Sequence, residues 1–221
     1  MASVAAQRRR RWTGLAPAER QAERRELLLD AAFELVGAEG WAAATVRAVV
    51  ERAGLNPRYF YESFADLDAL LVALYDRVLA DLTDFVVAAL DTSDMAPAAF
   101  ARAAVMALIT FVDEDRRRGR VLFVEGPVSG PVSLRKTASG RGLIEFIEHY
   151  AAQRDQPLAG EPIGQLGAAI LVGGFGQVMF EWLEGRLPVT RERLIEDTTE
   201  LFVAVFDTAT AIGGRRSRRA R

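Results

Sequence analysis

Polar and aromatic side chains suited to binding nucleic acid cluster at the start of one short predicted helix. They are Asn56, Arg58, Tyr59 and Tyr61, with Pro57 between the first two. Asparagine is a favoured N-cap and proline fits the first helical position, so the Asn-Pro pair predicts where the helix begins. Phe60 and Phe64 lie four residues apart and form its buried face, which leaves the other side chains at its N-terminus and on its outer side. A helix that enters the major groove contacts bases with its N-terminal residues, and its free N–H groups and dipole attract phosphate.

Apolar residues at i, i+3, i+4 and i+7 spacing predict two amphipathic helices before this one. The first stripe is Leu28, Ala31, Ala32 and Leu35, and the second is Val46, Val49, Val50 and Ala53. Pro17 is suited to begin the first helix, and Gly37 and Gly40 are suited to end it. Thr45 precedes the second helix as an N-cap, and Gly54 follows it. Three short helices with a tight turn at Gly54 predict a helix-turn-helix.

Residues 45–64, TVRAVVERAGLNPRYFYESF, resemble the DNA-binding signature of the tetracycline-repressor (TetR) family of transcription factors. The preceding helix at 27–40 and the helix that begins at Asp66 also match, so the resemblance is specific over about residues 20–80. It implies an all-α fold with an N-terminal helix-turn-helix domain and a C-terminal helical domain for ligand binding and dimerisation. The predicted boundaries are 1–19 for a basic arm, 20–65 for the DNA-binding domain, 66–212 for the helical domain and 213–221 for a disordered basic tail.

The resemblance also implies roles for individual residues. Thr45 and Tyr61 match positions that contact phosphate, and Arg47 lies near the DNA backbone in such folds. The positions that approach bases are occupied by Asn56, Pro57, Arg58 and Tyr59. The implied function is that of a ligand-responsive regulator, usually a repressor, which binds a palindromic operator as a homodimer and is released by a small molecule.

Two positions depart from the family pattern. Ser63 stands where the family often has histidine, and Leu67 stands where it often has lysine at the start of the fourth helix. The second change removes one phosphate contact. A run of four arginines in the arm is predicted to compensate through phosphate or minor-groove contacts, the alternative being a solvated terminus without function. These arginines are Arg8, Arg9, Arg10 and Arg11.

The distribution of charge supports contact between the N-terminal part and a polyanion. The net charge of −2 divides into +2 for residues 1–64, −9 for residues 65–212 and +5 for residues 213–221. A basic N-terminal part on an acidic remainder indicates that only the former meets DNA. The C-terminal arginines are predicted to be a solvated tail.

The C-terminal half is predicted to consist of helices at 66–90, 98–112, 120–125, 133–153, 162–184 and 191–212. The segment at 162–184 is apolar and rich in small residues, and the resemblance implies that it dimerises together with the last helix. Predicted interface residues are Gly173, Gly174, Phe202 and Val205. The alternative is that these apolar stripes serve only the core of one chain. A membrane span is not predicted, because the apolar stretch at 166–180 contains several glycines and a span needs roughly 20 apolar residues.

The effector is predicted to be small and apolar or amphipathic, because the C-terminal half is rich in aromatic and aliphatic residues. Predicted pocket residues are Phe111, Phe123, Phe146, Phe175 and Met179, with His149 and Gln177 as polar selectors. For each of them ordinary core packing is the competing interpretation.

Several other classes of protein are disfavoured. The chain has no cysteine and one histidine, which argues against thiolate metal sites and disulfides and fits a reducing cytoplasm. No catalytic residue, cofactor or metal is predicted, since residues 126–130 lack the spacing of a nucleophile elbow and residues 113–118 are predicted to be a solvated, salt-bridged turn. The remaining alternative is a helical protein that binds a small molecule or another protein but has lost DNA binding.

Overall fold

The computed structural model describes residues 16–90, 96–124, 130–153 and 161–219. Those residues form nine α-helices and no strand, which confirms the predicted all-α fold. The helices are α1 (Pro17–Glu39), α2 (Val46–Ala53), α3 (Pro57–Ser63), α4 (Leu67–Ala89), α5 (Pro97–Glu114), α6 (Arg116–Phe123), α7 (Gly130–Gln153), α8 (Pro162–Leu183) and α9 (Arg191–Arg219). A short 3-10 turn, Trp41–Ala43, joins α1 to α2. We call α1 to α3 the head and α4 to α9 the body.

The helix boundaries in the head follow from local capping. The Thr45 hydroxyl oxygen accepts a hydrogen bond from the N–H of Ala48 at 3.1 Å, and α2 begins after it. Gly54 ends α2 with a left-handed backbone, φ 60°, which glycine adopts without strain. The Asn56 side-chain oxygen then accepts from the N–H of Arg58 at 2.9 Å, and α3 begins there. Both predicted N-caps are confirmed.

One hydrophobic core runs through the head and the body. Phe60 from α3 and Leu28 from α1 have no exposed surface, and they belong to the same cluster as Leu74 of α4 and Met179 of α8. Helix α4 passes from the head into the body, and α1 also contacts α6. The head and the body therefore share one continuous core.

The arginine-rich segment at 116–118 is helical, so the predicted turn was wrong, but the predicted salt bridges between residues 113–115 and 116–118 are present. Asp115 caps α6, since its carboxylate accepts from the N–H of Arg117 at 3.1 Å, and the helix therefore begins four residues before the predicted start. The guanidinium groups of residues 116–118 then lie over aromatic rings, at 4.4–4.9 Å from the ring centres. Such cation–π contacts attach these cations to the protein surface in place of full hydration.

Two further boundaries differ from prediction. Helix α7 begins at Gly130, which makes Gly130 and Pro131 helical where a loop was predicted. Helix α9 continues to Arg219, so the predicted disorder of residues 213–221 was wrong for residues 213–219. Arginine has high helix propensity and is favoured at a helix C-terminus, which offsets the cost of Gly213 and Gly214.

Helix α8 is unusually apolar. Among the described residues it is the one helix long and apolar enough to cross a membrane by length and composition, with a mean hydropathy of 1.5. In the structure it packs against α6, α7 and α9 and buries Phe175, Met179 and Trp182. Most of its remaining surface is exposed in the single chain.

Candidate nucleic-acid interface

The DNA contacts predicted from the sequence lie on the surface of the head. The exposed residues among them are Thr45, Arg47, Asn56, Pro57, Arg58 and Tyr61, and Tyr59 is half-buried. Phe60 and Phe64 are buried beneath α3, with ring centres 6.0 Å apart, and anchor the helix to the core. The N-terminus and outer side of α3 are thereby presented to solvent.

The two capping side chains keep free donors. Thr45 and Asn56 use an oxygen atom to cap α2 and α3. The hydroxyl hydrogen of Thr45 and the amide N–H groups of Asn56 are not needed for capping, so both residues can cap a helix and donate to DNA at the same time.

Side chains from α1 brace the outer side of α3. The Arg58 Nε donates to the Glu62 carboxylate at 2.9 Å, and the same carboxylate lies 3.4 Å from Arg24 Nη2. The Arg24 guanidinium covers one face of the Tyr59 ring, 4.6 Å from its centre, and Gln21 donates to the Glu62 backbone carbonyl at 2.9 Å. Sequence reasoning missed Gln21, Arg24 and Glu62. The i, i+4 spacing of Arg58 and Glu62 was the only local signal.

At Ser63 and Leu67, the two positions that depart from the family pattern, neither side chain is available to donate to a phosphate. The Ser63 hydroxyl donates to the Tyr59 carbonyl at 3.0 Å, within α3. Leu67 is half-buried and packs against the core. The arm arginines at 8–11, predicted to compensate, lie outside the described residues.

The predicted pocket residues fall into separate places. Phe123, Phe175 and Phe202 form a chain of edge-to-face rings, with centres 6.4 and 5.8 Å apart. Met179 is fully buried, whereas Phe111 stacks with a different ring, Phe85. The structure does not bring the remaining three to this cluster: Phe146 and His149 are exposed on α7, and exposed Gln177 donates to Glu181 at 2.7 Å.

The predicted dimer residues divide in the same way. Gly173 and Gly174 are exposed, and a Cβ at either position would meet no atom within 4 Å. Phe202 packs on Phe175 in the core of its own chain, and half-buried Val205 lies against Gly167 of α8.

A polar cleft of about 330 Å³ lies between the head and the body. It is lined by Asp30, Phe33, Arg77, Val78, Asp81, Asp115 and Arg118. Arg77 crosses the boundary and donates to Asp30 at 2.8 Å. Hydrogen bonds from the Arg117 guanidinium hold the pKa of Asp115 below its usual value. None of the sequence-based pocket predictions except Phe111, through its contact with Arg118, approaches this cleft.

Residues 28–74 match the family model described as bacterial regulatory proteins, tetR family. The HTH-type transcriptional activator FasR of Mycolicibacterium smegmatis is 25% identical over 183 residues, which are 80% of each chain. The HTH-type transcriptional regulator BetI of Rhizobium meliloti is 36% identical over 86 residues, covering 39% of this chain and 40% of BetI. The matched segment contains α2, α3 and the start of α4 and is thus the helix-turn-helix itself.

The whole fold is also similar to solved structures. A TetR-like transcriptional regulator from Rhodococcus has a TM-score of 0.62 at 21% identity, covering 81% of this chain and 93% of that one. The regulator FadR of Bacillus subtilis, in complex with stearoyl-CoA, has a TM-score of 0.67 at 13% identity, covering 81% and 98%. Residues 28–74 therefore form a helix-turn-helix of the TetR type. The described chain as a whole has the fold of these solved regulators.

Proposed function

We propose that this protein is an effector-responsive repressor that binds a palindromic operator as a homodimer, in the cytoplasm and without catalysis. The observation that carries the proposal is the exposed N-terminus of α3, whose polar residues stand clear of the core on an anchored helix. The similar protein FasR is named an activator, so repression by this protein is tested separately from DNA binding. Deleting the gene should raise expression from the regulated promoter, and a fall would make the protein an activator.

The contacts expected on DNA divide into two kinds. Thr45, Arg47 and Tyr61 are placed to contact phosphates and fix the orientation of the head, since these contacts carry no sequence information. Arg58 and Tyr59 are placed to contact base edges, because they follow the first residue of α3 and lie on its outer side.

Replacing Arg58 by alanine should weaken operator binding by about 1–3 kcal/mol and relax base preference at one position, because a base-edge contact is lost. The operator is first selected from a random duplex library with the purified protein, and affinity is then measured by fluorescence anisotropy at several salt concentrations. The matched control is Arg52→Ala, which removes another head cation, one that pairs with Glu34 and Glu39 of α1. Equal effects of the two substitutions would contradict the proposed contact.

A wild-type protein with no salt-dependent DNA affinity would favour the alternative of a helical binding protein without DNA binding.

The dimer is proposed from the exposed apolar face of α8 and α9. Leu166, Ile170 and Gly174 follow one another at four-residue spacing along α8 and are exposed, and Leu201 is exposed on α9. Large exposed apolar patches mark interfaces, and a two-fold pairing of two helices with their copies makes a four-helix interface. The glycines permit close approach of the partner helix. Such a dimer contacts half-sites about 34–36 Å apart, which is why the operator is expected to be palindromic.

The effector is proposed to bind beside the Phe123, Phe175 and Phe202 cluster in the body. These rings and Met179 offer an apolar lining, so the expected ligand is apolar or amphipathic. Stearoyl-CoA, which the Bacillus subtilis FadR structure contains, is an amphipathic molecule of this kind and serves as the first probe.

Stearoyl-CoA is expected to bind this protein and to lower its affinity for the operator about 5- to 150-fold, which corresponds to the usual coupling free energy of 1–3 kcal/mol. Linkage then requires the operator to weaken stearoyl-CoA binding by the same factor. Calorimetric titration with and without operator measures both factors. Binding with equal affinity in the two titrations would rule out coupling, and the lack of binding would exclude long-chain acyl-CoA as the effector class.

A further inference from the structure

Glu62 is an acidic residue on the side of α3 that is proposed to face DNA. Its carboxylate accepts from Arg58 Nε at 2.9 Å, four residues earlier on the same helix. The Arg58 side chain is 82% exposed. Ion pairs this exposed add little to folding stability, because solvent screens them. The pairing of Glu62 with Arg58 therefore points to a role other than holding the fold together.

The geometry of the pair leaves the recognition end of Arg58 free. The hydrogen bond to Glu62 is donated by Nε, so neither Nη atom is used in it. A guanine presents two acceptors in the major groove, O6 and N7, and arginine binds both at once through two N–H groups. An arginine held through Nε keeps its two Nη groups available for that contact.

Glu62 is itself held from beneath by α1. Arg24 is 12% exposed, and its Nη2 lies 3.4 Å from the second carboxylate oxygen. The same guanidinium covers Tyr59, the other residue proposed to contact bases. Gln21 fixes the backbone at Glu62 through its carbonyl. One carboxylate thus connects both base-contacting side chains to the rigid first helix.

We propose that Glu62 is a positioning residue for base recognition, which holds Arg58 toward a guanine in each half-site and Arg24 over Tyr59. The inference rests on the proposed contact between α3 and bases. It also gives a function to a carboxylate on the surface proposed to face DNA. An Arg58 that leaves Glu62 for a phosphate leaves one oxygen of that carboxylate without its cation beside the polyanion, which disfavours non-specific binding. An Arg58 that binds guanine keeps its partner, so the specific complex has no such penalty.

The test substitutes glutamine for Glu62, which preserves shape and the backbone bond from Gln21 but removes the charge. Preference for the guanine, measured against the same duplex with 7-deazaguanine in its place, should be roughly 5- to 150-fold in the wild type and should fall toward unity in Glu62→Gln. Affinity for unrelated DNA should rise, and its logarithm should depend on the logarithm of salt concentration with a slope steeper by about one charge.

The matched control is Glu39→Gln, which removes a head carboxylate that pairs with Arg52 and not with α3. If Glu62→Gln changes guanine preference no more than Glu39→Gln does, the inference is overturned. In an Arg58→Ala background, Glu62→Gln should have no further effect on guanine preference, and an undiminished effect there would equally overturn it. Should Glu62→Gln lose its cooperative thermal transition, Glu62→Asp keeps the charge but shortens the reach to Arg58, and the same loss of preference is expected. A wild type without sequence-selective binding would instead refute the proposed function.

Discussion

Replacing Ile170 by glutamate is expected to convert the protein into a monomer and to lower operator affinity by about 10²- to 10⁴-fold. The large factor arises because a dimer binds its second half-site intramolecularly, at a high effective concentration, and a monomer does not. The fold of the single chain should survive, because Ile170 is 56% exposed in it.

The size of the effect follows from where the glutamate would lie. Ile170 is at the middle of the exposed face of α8, between Leu166 and Gly174. In the proposed two-fold interface the residue meets the partner's apolar face, so each dimer would bury two unpaired carboxylates. Burying one unpaired charge costs several kcal/mol. The dimer would bury two, and their combined cost exceeds the binding free energy of an interface of ordinary affinity.

Sedimentation velocity at micromolar concentration measures the change of state, and anisotropy on the selected operator measures the loss of affinity. Leu134→Glu is the matched control, since Leu134 is 73% exposed on α7 and lies outside the α8–α9 face. That variant should remain a dimer. A dimeric Ile170→Glu protein would place the interface elsewhere on the surface.

The head could be predicted in detail because its signals are local. The caps at Thr45 and Asn56, and the glycine turn between them, each depend on residues within four positions, and the structure has all of them. The brace beneath α3 could not be predicted in the same way. Gln21 and Arg24 meet Glu62 from 41 and 38 residues away, a contact that exists only once α1 and α3 have packed.

The same reason accounts for the errors in the body. An arginine triplet beside an acidic triplet predicts a solvated turn when sequence neighbours alone are considered. In the structure the salt bridges form, but the segment is helical and Arg117 also lies over Phe33, more than eighty residues earlier in the chain. The predicted pocket residues were chosen by type, and burial separates them: Met179 is in the core while Phe146 is on the surface.

At the junction between head and body, a cation from the body binds the C-terminal end of α1. The last turn of α1 contains no basic residue, and Arg120 of α6 supplies one from the body. Its Nη1 lies 3.1 Å from the carbonyl oxygens of Gly37 and of Ala38, at the negative end of the helix dipole. Helices α1 and α6 are in close contact here. A Cβ added at Gly37 would lie only 2.5 Å from the Cβ of Arg117, so the contact requires glycine at this position.

Replacing Arg120 by alanine is therefore expected to loosen the end of α1 from the body. Hydrogen bonds to a charged donor contribute about 1.5–3 kcal/mol. When closing is faster than exchange, the amide exchange rate is proportional to the equilibrium constant for local opening. Exchange over residues 36–40 should therefore accelerate roughly 10- to 150-fold. Arg118→Ala is the matched control, since the Arg118 guanidinium donates to the Phe111 carbonyl at 3.0 Å, a bond of the same kind that stays within the body. Its exchange effect should be confined to α5 and α6. The effector is proposed to bind in the body and the operator at the head, on opposite sides of this junction. Arg120→Ala should therefore also shrink the factor by which either ligand weakens the other, and Arg118→Ala should leave more of that factor intact. Unaltered exchange at the end of α1 in Arg120→Ala would show that the packing around Gly37 alone holds the head in place.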